Sequence, residues 1–172
     1  MAEPTHQEKK TNHELKLLVV LGDGGHTAEI IRLVELLGPN YDYHYLITAS
    51  DRISESKVTI QGPIYYIVRP RAKDEKVWRV AIKLARSLWQ AARLLYQIRP
   101  DVVLGSGPAV IVPVALLGKL AGGKVIYIEN ACRVTDLSLT GKMMLKVADL
   151  FFVQWEQVQK RYPRAIFAGR LL

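Results

Sequence analysis

The chain has 172 residues, 49% hydrophobic and 23% charged, an ordinary soluble composition with enough apolar residues for a core. Lys and Arg number 24 against 16 Asp and Glu, and the formal charge of +8 favours an anionic partner: nucleic acid, an acidic membrane face or a phosphorylated substrate. The single cysteine, Cys132, excludes an internal disulfide, and the longest uncharged run, Val102–Gly118, is broken by proline and glycine and falls short of the ~20 apolar residues of a membrane-spanning helix.

Met1–Glu14 is polar, lacks the apolar core of a signal peptide or anchor, and reads as a disordered lead-in to a single domain over 15–172. Leu15–Leu21 is a continuous apolar run of strand length, as expected of a strand covered on both faces. Thr27–Leu37 has helical periodicity and is stopped by Gly38-Pro39-Asn40. Tyr43–Thr48 and Ile64–Val68 read as strands, separated by a polar loop with a helical turn. Lys76–Ile98 is a long helix, Asp101–Leu104 a fourth strand, and Pro108–Leu120 a helix with proline at its first position, where a missing N–H costs nothing. Lys124–Ile128, Leu150–Val153 and Ala165–Ala168 read as strands, and Ser138–Val147 and Glu156–Lys160 as helices. Strands alternating with helices predict an α/β fold: a Rossmann-like parallel sheet with helices on both faces.

In such a sheet ligands bind beyond the carboxyl ends of the strands. Three small-residue loops fall there: Gly22–Thr27, Gly105–Gly107 and Glu129–Arg133. The first, "GDGGHT", joins a strand to a helix, where glycines permit tight turns and free N–H groups can hold an anion. It is not a nicotinamide fingerprint, because Thr27 stands where the third glycine of G-x-G-x-x-G belongs, and no phosphate-binding G-x-x-x-x-G-K-[S/T] occurs. Its bland reading is a strand-to-helix turn with Thr27 as cap.

His26 sits in the positive field of a helix N-terminus, which favours neutral imidazole. Such a ring can act as a base, bond a sugar hydroxyl, or simply bond locally. Asp23 would repel a phosphate, so this loop suits a sugar. "LGSGPAV" repeats the strand–glycine–helix design with Gly105, Ser106 and Gly107, and "YIENACR" brings Glu129, Asn130 and Arg133. Glu129 is open to three roles: orienting a hydroxyl, acting as base, or capping the next segment. Cys132 reads as a packing residue. Together the loops suit a phosphorylated sugar or lipid, and nothing in the sequence predicts a metal site.

In the long helix, Arg79, Lys83, Arg86, Gln90, Arg93 and Gln97 recur in alternating four- and three-residue steps and share one face, with Trp78, Ile82, Trp89 and Tyr96 along its edge. Basic residues beside a Trp/Tyr stripe suit an anionic lipid interface; the alternative is a solvated basic face with its rings in the core. Val80, Leu84, Leu88, Ala91, Leu95 and Ile98 are expected to pack on the sheet. Nucleic acid competes for the same charges, but no nucleic-acid motif is present and none is expected as partner.

The segments "VVLGDGGHTAEIIRL", "RPDVVLGSGPAVIVPVALLGKLAG", "KVIYIENACRVTDLSLTGKMM" and "ADLFFVQWEQVQKRYPRAIFAGRLL" follow one another in the order of the Alg-fourteen family, which the chain resembles from Leu15 to Leu172. The resemblance extends to bacterial polysaccharide-synthesis relatives and, distantly, to the N-terminal half of MurG. It implies the acceptor-binding half of a GT-B glycosyltransferase: a subunit that brings a separate donor-binding chain to the membrane to make lipid-linked oligosaccharide.

On that resemblance His26 and Glu129 are the catalytic candidates. Gly22, Asp23, Gly24, Gly25, Thr27, Gly105, Ser106, Gly107, Asn130 and Arg133 meet a lipid-pyrophosphate sugar. The UDP-sugar, N-acetylglucosamine the first candidate, is held mainly by the partner, with no tightly bound cofactor. The C-terminal tail, here Phe167, Gly169, Arg170, Leu171 and Leu172, docks the partner. Eukaryotic members begin with a membrane helix; here Trp78, Arg79, Lys83, Arg86, Trp89, Arg93 and Tyr96 are expected to make the membrane contact instead, peripherally and on the cytoplasmic side. A nucleotide-dependent oxidoreductase and a non-catalytic membrane scaffold are the competing functions.

Overall fold

Along the first strand, Leu17 and Val19 turn to one side of a sheet and Leu18 and Val20 to the other, and none of the four is more than 5% exposed. An uninterrupted apolar run is therefore what a strand with cores on both faces requires. The computed structural model describes residues 14–22, 25–49, 51, 53–68 and 77–171, excepting the side chains of 77–81, 83 and 84. Of the expected lead-in only Glu14 lies within these residues.

The chain order is β1 (Lys16–Val20), α1 (Gly25–Leu37), β2 (Asp42–Thr48), a 3-10 turn (Glu55–Lys57), β3 (Ile64–Ile67), α2 (Val77–Ile98), β4 (Val102–Ser106), α3 (Ile111–Leu120), β5 (Lys124–Ile128), α4 (Leu139–Val147), β6 (Leu150–Val153), α5 (Glu156–Arg161) and β7 (Ile166–Phe167). Seven parallel strands run in the order β3-β2-β1-β4-β5-β6-β7. This is the Rossmann-like sheet read from the sequence, with its order reversing between β1 and β4.

Three local expectations are corrected. β4 continues through Gly105 and Ser106, so these are strand residues rather than loop. Pro108 does not open α3: the chain makes a tight turn, with Ile111 N–H donating to the Pro108 carbonyl and Val112 N–H to that of Ala109, and the helix begins at Ile111. Pro113 then occupies the helix's first turn, where the lost N–H has no intrahelical partner to lose. The last strand is only Ile166–Phe167, shorter than Ala165–Ala168.

The handedness of the crossovers sorts the helices. A right-handed crossover puts helices of opposite strand progression on opposite faces. The β1-to-β2 connection therefore places α1 on one face, where Ile30, Ile31 and Val34 pack with Leu17, Val19 and Tyr45. After β3 the progression reverses, and residues of α2, α3, α4 and α5 pack together on the other face with Leu18, Val20 and Val103. The β2-to-β3 connection has only the 3-10 turn. α1 also reaches β4, where Leu104 joins its core, so among the described residues it is β5 and β6 that have no helix over them on the α1 side. An apolar cavity of about 460 Å³ remains there, walled by Leu104, Ile126, Ile128 and Phe152 and rimmed by Arg170 and Leu171.

α2 buries Ser87, Ala91, Leu95 and Ile98, packing mainly against α3 and also on β3. The expected packing on the sheet is made at its β3 side, with α3 alongside, and Ala91, Leu95 and Ile98 join the core that includes Leu46 and Ile67. Leu88 is corrected: it is 38% exposed, at the margin of the buried stripe. The side chains of Trp78, Arg79, Val80, Lys83 and Leu84 lie outside the described set. Ile82, Trp89 and Tyr96 are 58%, 62% and 77% exposed, so the rings are not core. Arg86 and Arg93 are exposed beside them, the Arg93 guanidinium 5.6 Å from the Trp89 ring and that of Arg99 5.6 Å from Tyr96. Gln90, expected on the solvated face, instead accepts the Val68 N–H at 3.1 Å. No helix among the described residues is long and apolar enough to cross a membrane.

Candidate functional site

The order reversal leaves a crevice beyond the carboxyl ends of β1 and β4, and the loops after β1, β4 and β5 converge on it. α1 begins at Gly25, so His26 lies in its first turn. Its ring covers Gly107, in the loop after β4, so closely that a Cβ there would overlap the imidazole; Gly107 also has φ +74°, a conformation that favours glycine. From the loop after β5, the Asn130 amide nitrogen reaches His26 Nδ1 at 3.0 Å. Tyr127, buried on β5, accepts the Gly107 N–H through its hydroxyl at 3.3 Å.

Asn130 fixes the direction of its bond to the histidine. Its Oδ1 accepts the Cys132 N–H at 2.8 Å, which leaves the amide NH₂ to face His26. The NH₂ donates, so Nδ1 accepts, and a neutral ring then carries its proton on Nε2.

The structure separates the other predicted site residues into crevice and scaffold. Asp23 and Gly24 lie outside the described residues. Gly22 lets Pro108 approach: a Cβ on it would lie 2.8 Å from Pro108 Cδ and 3.0 Å from His26 Cβ. Gly105 makes room for Ile111, whose Cδ1 would lie 2.6 Å from an added Cβ. Gly25 has open space around it. Ser106 is fully buried, and its hydroxyl has no partner among the described residues. Arg133 is exposed on the loop after β5.

Thr27 and Glu129 are turned inward, which corrects the roles expected of them. Thr27 is fully buried, its hydroxyl bonded to the Gly22 carbonyl and 2.6 Å from Ser54 Oγ. Ser54 also bonds the Gly22 carbonyl at 3.1 Å and is held by Asp51. Glu129 is 1% exposed. Its Oε1 accepts from Asn130 N–H at 3.2 Å and its Oε2 from Ser138 N–H at 3.1 Å, and the Ser138 hydroxyl bonds the same carboxylate. Ser138 caps α4 by accepting from Gly141 N–H at 2.9 Å, and a Cβ on Gly141 would overlap the Glu129 carboxylate. Glu129 thus braces the loop against α4, the third of the roles its position allowed. Burial pushes its carboxyl above the ordinary value, against the hydrogen bonds from Ser138 and Asn130.

A carboxylate missed in the sequence stands nearer the loop. Glu29, one turn after His26 on α1, is 2% exposed; its Oε1 accepts the Ala131 N–H at 2.9 Å and its Oε2 has no hydrogen-bond partner among the described residues. Burial raises its pKa above the ordinary 4.5. The readable signal was its three-residue step from His26, which puts both on one helix face. Gln154 and Trp155, after β6, were also missed: Gln154 Nε2 donates to the Glu129 carbonyl at 3.1 Å and Trp155 Nε1–H to that of Ala131 at 2.6 Å. No group of three His, Cys, Asp or Glu positioned for a metal ion occurs among the described residues.

A family model described as "Oligosaccharide biosynthesis protein Alg14 like" matches residues 17–171. The chain belongs to this Alg14-like family. A protein of Rattus norvegicus named "UDP-N-acetylglucosamine transferase subunit ALG14" is 38% identical over 180 residues, covering 92% of this chain and 83% of its own. Among solved structures the Alg14-like chain shares its fold with Acinetobacter baumannii MurG (TM-score 0.68, 21% identity, 84% of this chain and 43% of MurG). It shares the fold also with the UDP-GlcNAc 2-epimerase of Methanocaldococcus jannaschii (TM-score 0.68, 18% identity, 91% and 46%). The Alg14-like chain thus spans less than half of each of these structures.

Proposed function

We propose that the chain is the acceptor-side subunit of a UDP-N-acetylglucosamine transferase. It holds a lipid-pyrophosphate sugar in the crevice between β1 and β4 and recruits a separate donor-binding subunit, which holds the UDP-sugar. The observation that carries the reading is the meeting of His26, Gly107 and Asn130 at that crevice, in a chain whose relatives are named as subunits of this transferase. The nucleotide-dependent oxidoreductase fares worse: Thr27, at the place of the third fingerprint glycine, is buried against Gly22 and Ser54.

In the reaction a hydroxyl of the acceptor sugar attacks the anomeric carbon of the donor sugar, its bond to UDP breaks, and the hydroxyl proton must leave. In the tautomer set by Asn130, His26 donates from Nε2 and orients an acceptor oxygen. Taking up the proton there would require the Asn130 amide to turn and give up the Cys132 N–H. His26 is therefore assigned a positioning contact with the acceptor, and rings of this kind supply electrostatic help as charge develops.

The partner is assigned to the uncovered α1-side face of β5 and β6. Its apolar cavity is continuous with the tail at Gly169, Arg170 and Leu171, and Phe167 is 37% exposed beside it. Leu171 itself packs on the α1-side core. Leu172 lies outside the described residues. The membrane contact is assigned to the Trp89, Arg93 and Tyr96 side of α2, peripheral and on the cytoplasmic side.

The test mixes the purified chain with its donor-binding subunit, UDP-N-acetylglucosamine and a lipid-pyrophosphate N-acetylglucosamine. A disaccharide lipid is expected from the mixture and none from the chain alone. No product from the mixture would sink the reading, and unchanged turnover in His26→Ala would make the chain a scaffold.

A further inference from the structure

The last residues of the chain and the loop after β5 are held by the same two side chains. Gln154 is 3% exposed and bonded at both ends: its Nε2 donates to the Glu129 carbonyl at 3.1 Å, and its Oε1 accepts the Leu171 N–H at 3.0 Å. Trp155 is likewise engaged twice. Its indole N–H donates to the Ala131 carbonyl at 2.6 Å, and the Arg170 guanidinium lies 5.0 Å from its ring. From Ala131 the line continues through its N–H to Glu29 on α1, the helix that carries His26, while Asn130 between them holds the His26 ring.

A primary amide with both ends used inside a buried site has one orientation, because turning it would set its NH₂ against the Leu171 N–H and its oxygen against the Glu129 carbonyl. Moving the tail therefore disturbs Gln154, and moving Gln154 frees the Glu129 carbonyl. The indole acts in parallel, since the tail's Arg170 rests on the ring whose N–H pins Ala131.

We infer that Gln154 and Trp155 are positioning residues that couple the tail to the Glu129–Arg133 loop, so that a partner seated on the tail changes the affinity of the crevice for the acceptor sugar. The functional half rests on the proposed docking of the donor-binding subunit at the tail. The structural half, that the tail orders the loop, stands without it. By linkage the coupling is reciprocal: acceptor in the crevice tightens the partner on the tail by the same factor.

Two measurements test this. In the first, amide hydrogen exchange is followed on the chain alone for Arg170→Ala, Arg170→Lys, Trp155→Phe and a chain ending at Gly169. Trp155→Phe keeps a ring under Arg170 but loses the N–H to Ala131. Exchange in 129–133 is expected to rise about 5- to 10-fold, the equivalent of one lost hydrogen bond, in the truncated, Arg170→Ala and Trp155→Phe chains. It should stay near the parent in Arg170→Lys, with β1 and β2 unchanged throughout. An unchanged loop, or a rise spread over the whole sheet, overturns the coupling.

In the second, the complex with the donor-binding subunit is assayed against a lipid-pyrophosphate N-acetylglucosamine. Trp155→Phe is expected to raise the acceptor KM about 5-fold or more with kcat and partner affinity held, the size of ordinary coupling between sites. A loss in kcat or partner binding with KM unchanged overturns it. If the parent complex makes no product, the proposed function fails, and the exchange experiment still decides whether tail and loop are coupled.

Discussion

The His26 imidazole fills the space that a side chain at position 107 would need. The β1–α1 loop and the β4–α3 loop are thereby fitted to each other, and Asn130 from the third loop fixes the ring from its Nδ1 side. Gly107→Ala should displace the ring and strain a backbone at φ +74°, at a cost of about 1–2 kcal/mol. The larger effect is expected on turnover by the assembled transferase, about 100-fold for a shift of an ångström in a positioning group. Thermal melts and single-substrate kinetics separate the two; full activity would mean that the ring position does not matter.

His26→Ala and Asn130→Ala are expected to behave as a pair. The first should lower kcat by about 100-fold or more, within the range of lost hydrogen-bond stabilisation in a transition state. The second should give a smaller loss, since the ring remains but its tautomer is no longer fixed. In the double variant the losses should fall short of additive, because the amide acts through the ring. Full additivity would place Asn130 directly on the acceptor.

Glu129→Ala is expected to act on stability before chemistry. It strands the N–H groups of Asn130 and Ser138 in a buried site, costing about 1–3 kcal/mol. Ser138→Ala removes the α4 cap and should cost about 1 kcal/mol. At this chain length each kcal/mol lowers Tm by about 2–4 °C. A Glu129→Ala chain with parental Tm and no turnover would return Glu129 to the catalytic list.

Glu29 gives a pH signature. Its folded-state pKa is raised by burial above 4.5, so its contribution to stability is full below 4.5 and is lost as pH rises through the raised value. Glu29→Gln keeps a carbonyl for the Ala131 N–H and carries no charge to desolvate. The variant should match the parent near pH 4 and become progressively more stable than it toward pH 7. Denaturant titrations across that window check it; a constant difference would mean that Glu29 is not desolvated.

Binding to vesicles with anionic lipid is expected to weaken in Trp89→Ala, Tyr96→Ala and Arg93→Gln, most at low salt for the arginine. Both rings are exposed, so Tm should hold. Co-flotation equal to the parent would leave α2 as a solvated face.

The strand–helix alternation, the Rossmann-like class, the three glycine- and carboxylate-bearing loops and the amphipathic face of α2 were legible in the residues alone. Each is a local property: a periodicity, a turn residue, an apolar run with cores on both sides. Even there, boundaries moved where long-range pairing overruled propensity, as when β4 extended through Gly105 and Ser106 by pairing with Tyr127 and Ile128. What the polar residues do depends on contacts between segments far apart in the chain. Glu129 and Thr27 carry the same chemistry as crevice groups, but burial and the partners of Ser138, Gly22 and Ser54 turn them into braces. Glu29, Gln154 and Trp155 were silent in sequence because their partners lie on distant strands and loops. The "GDGGHT" loop keeps His26 at the crevice for a reason no spacing encodes: Gly107 leaves room for the ring, and Asn130, held by Cys132, donates to one side of it.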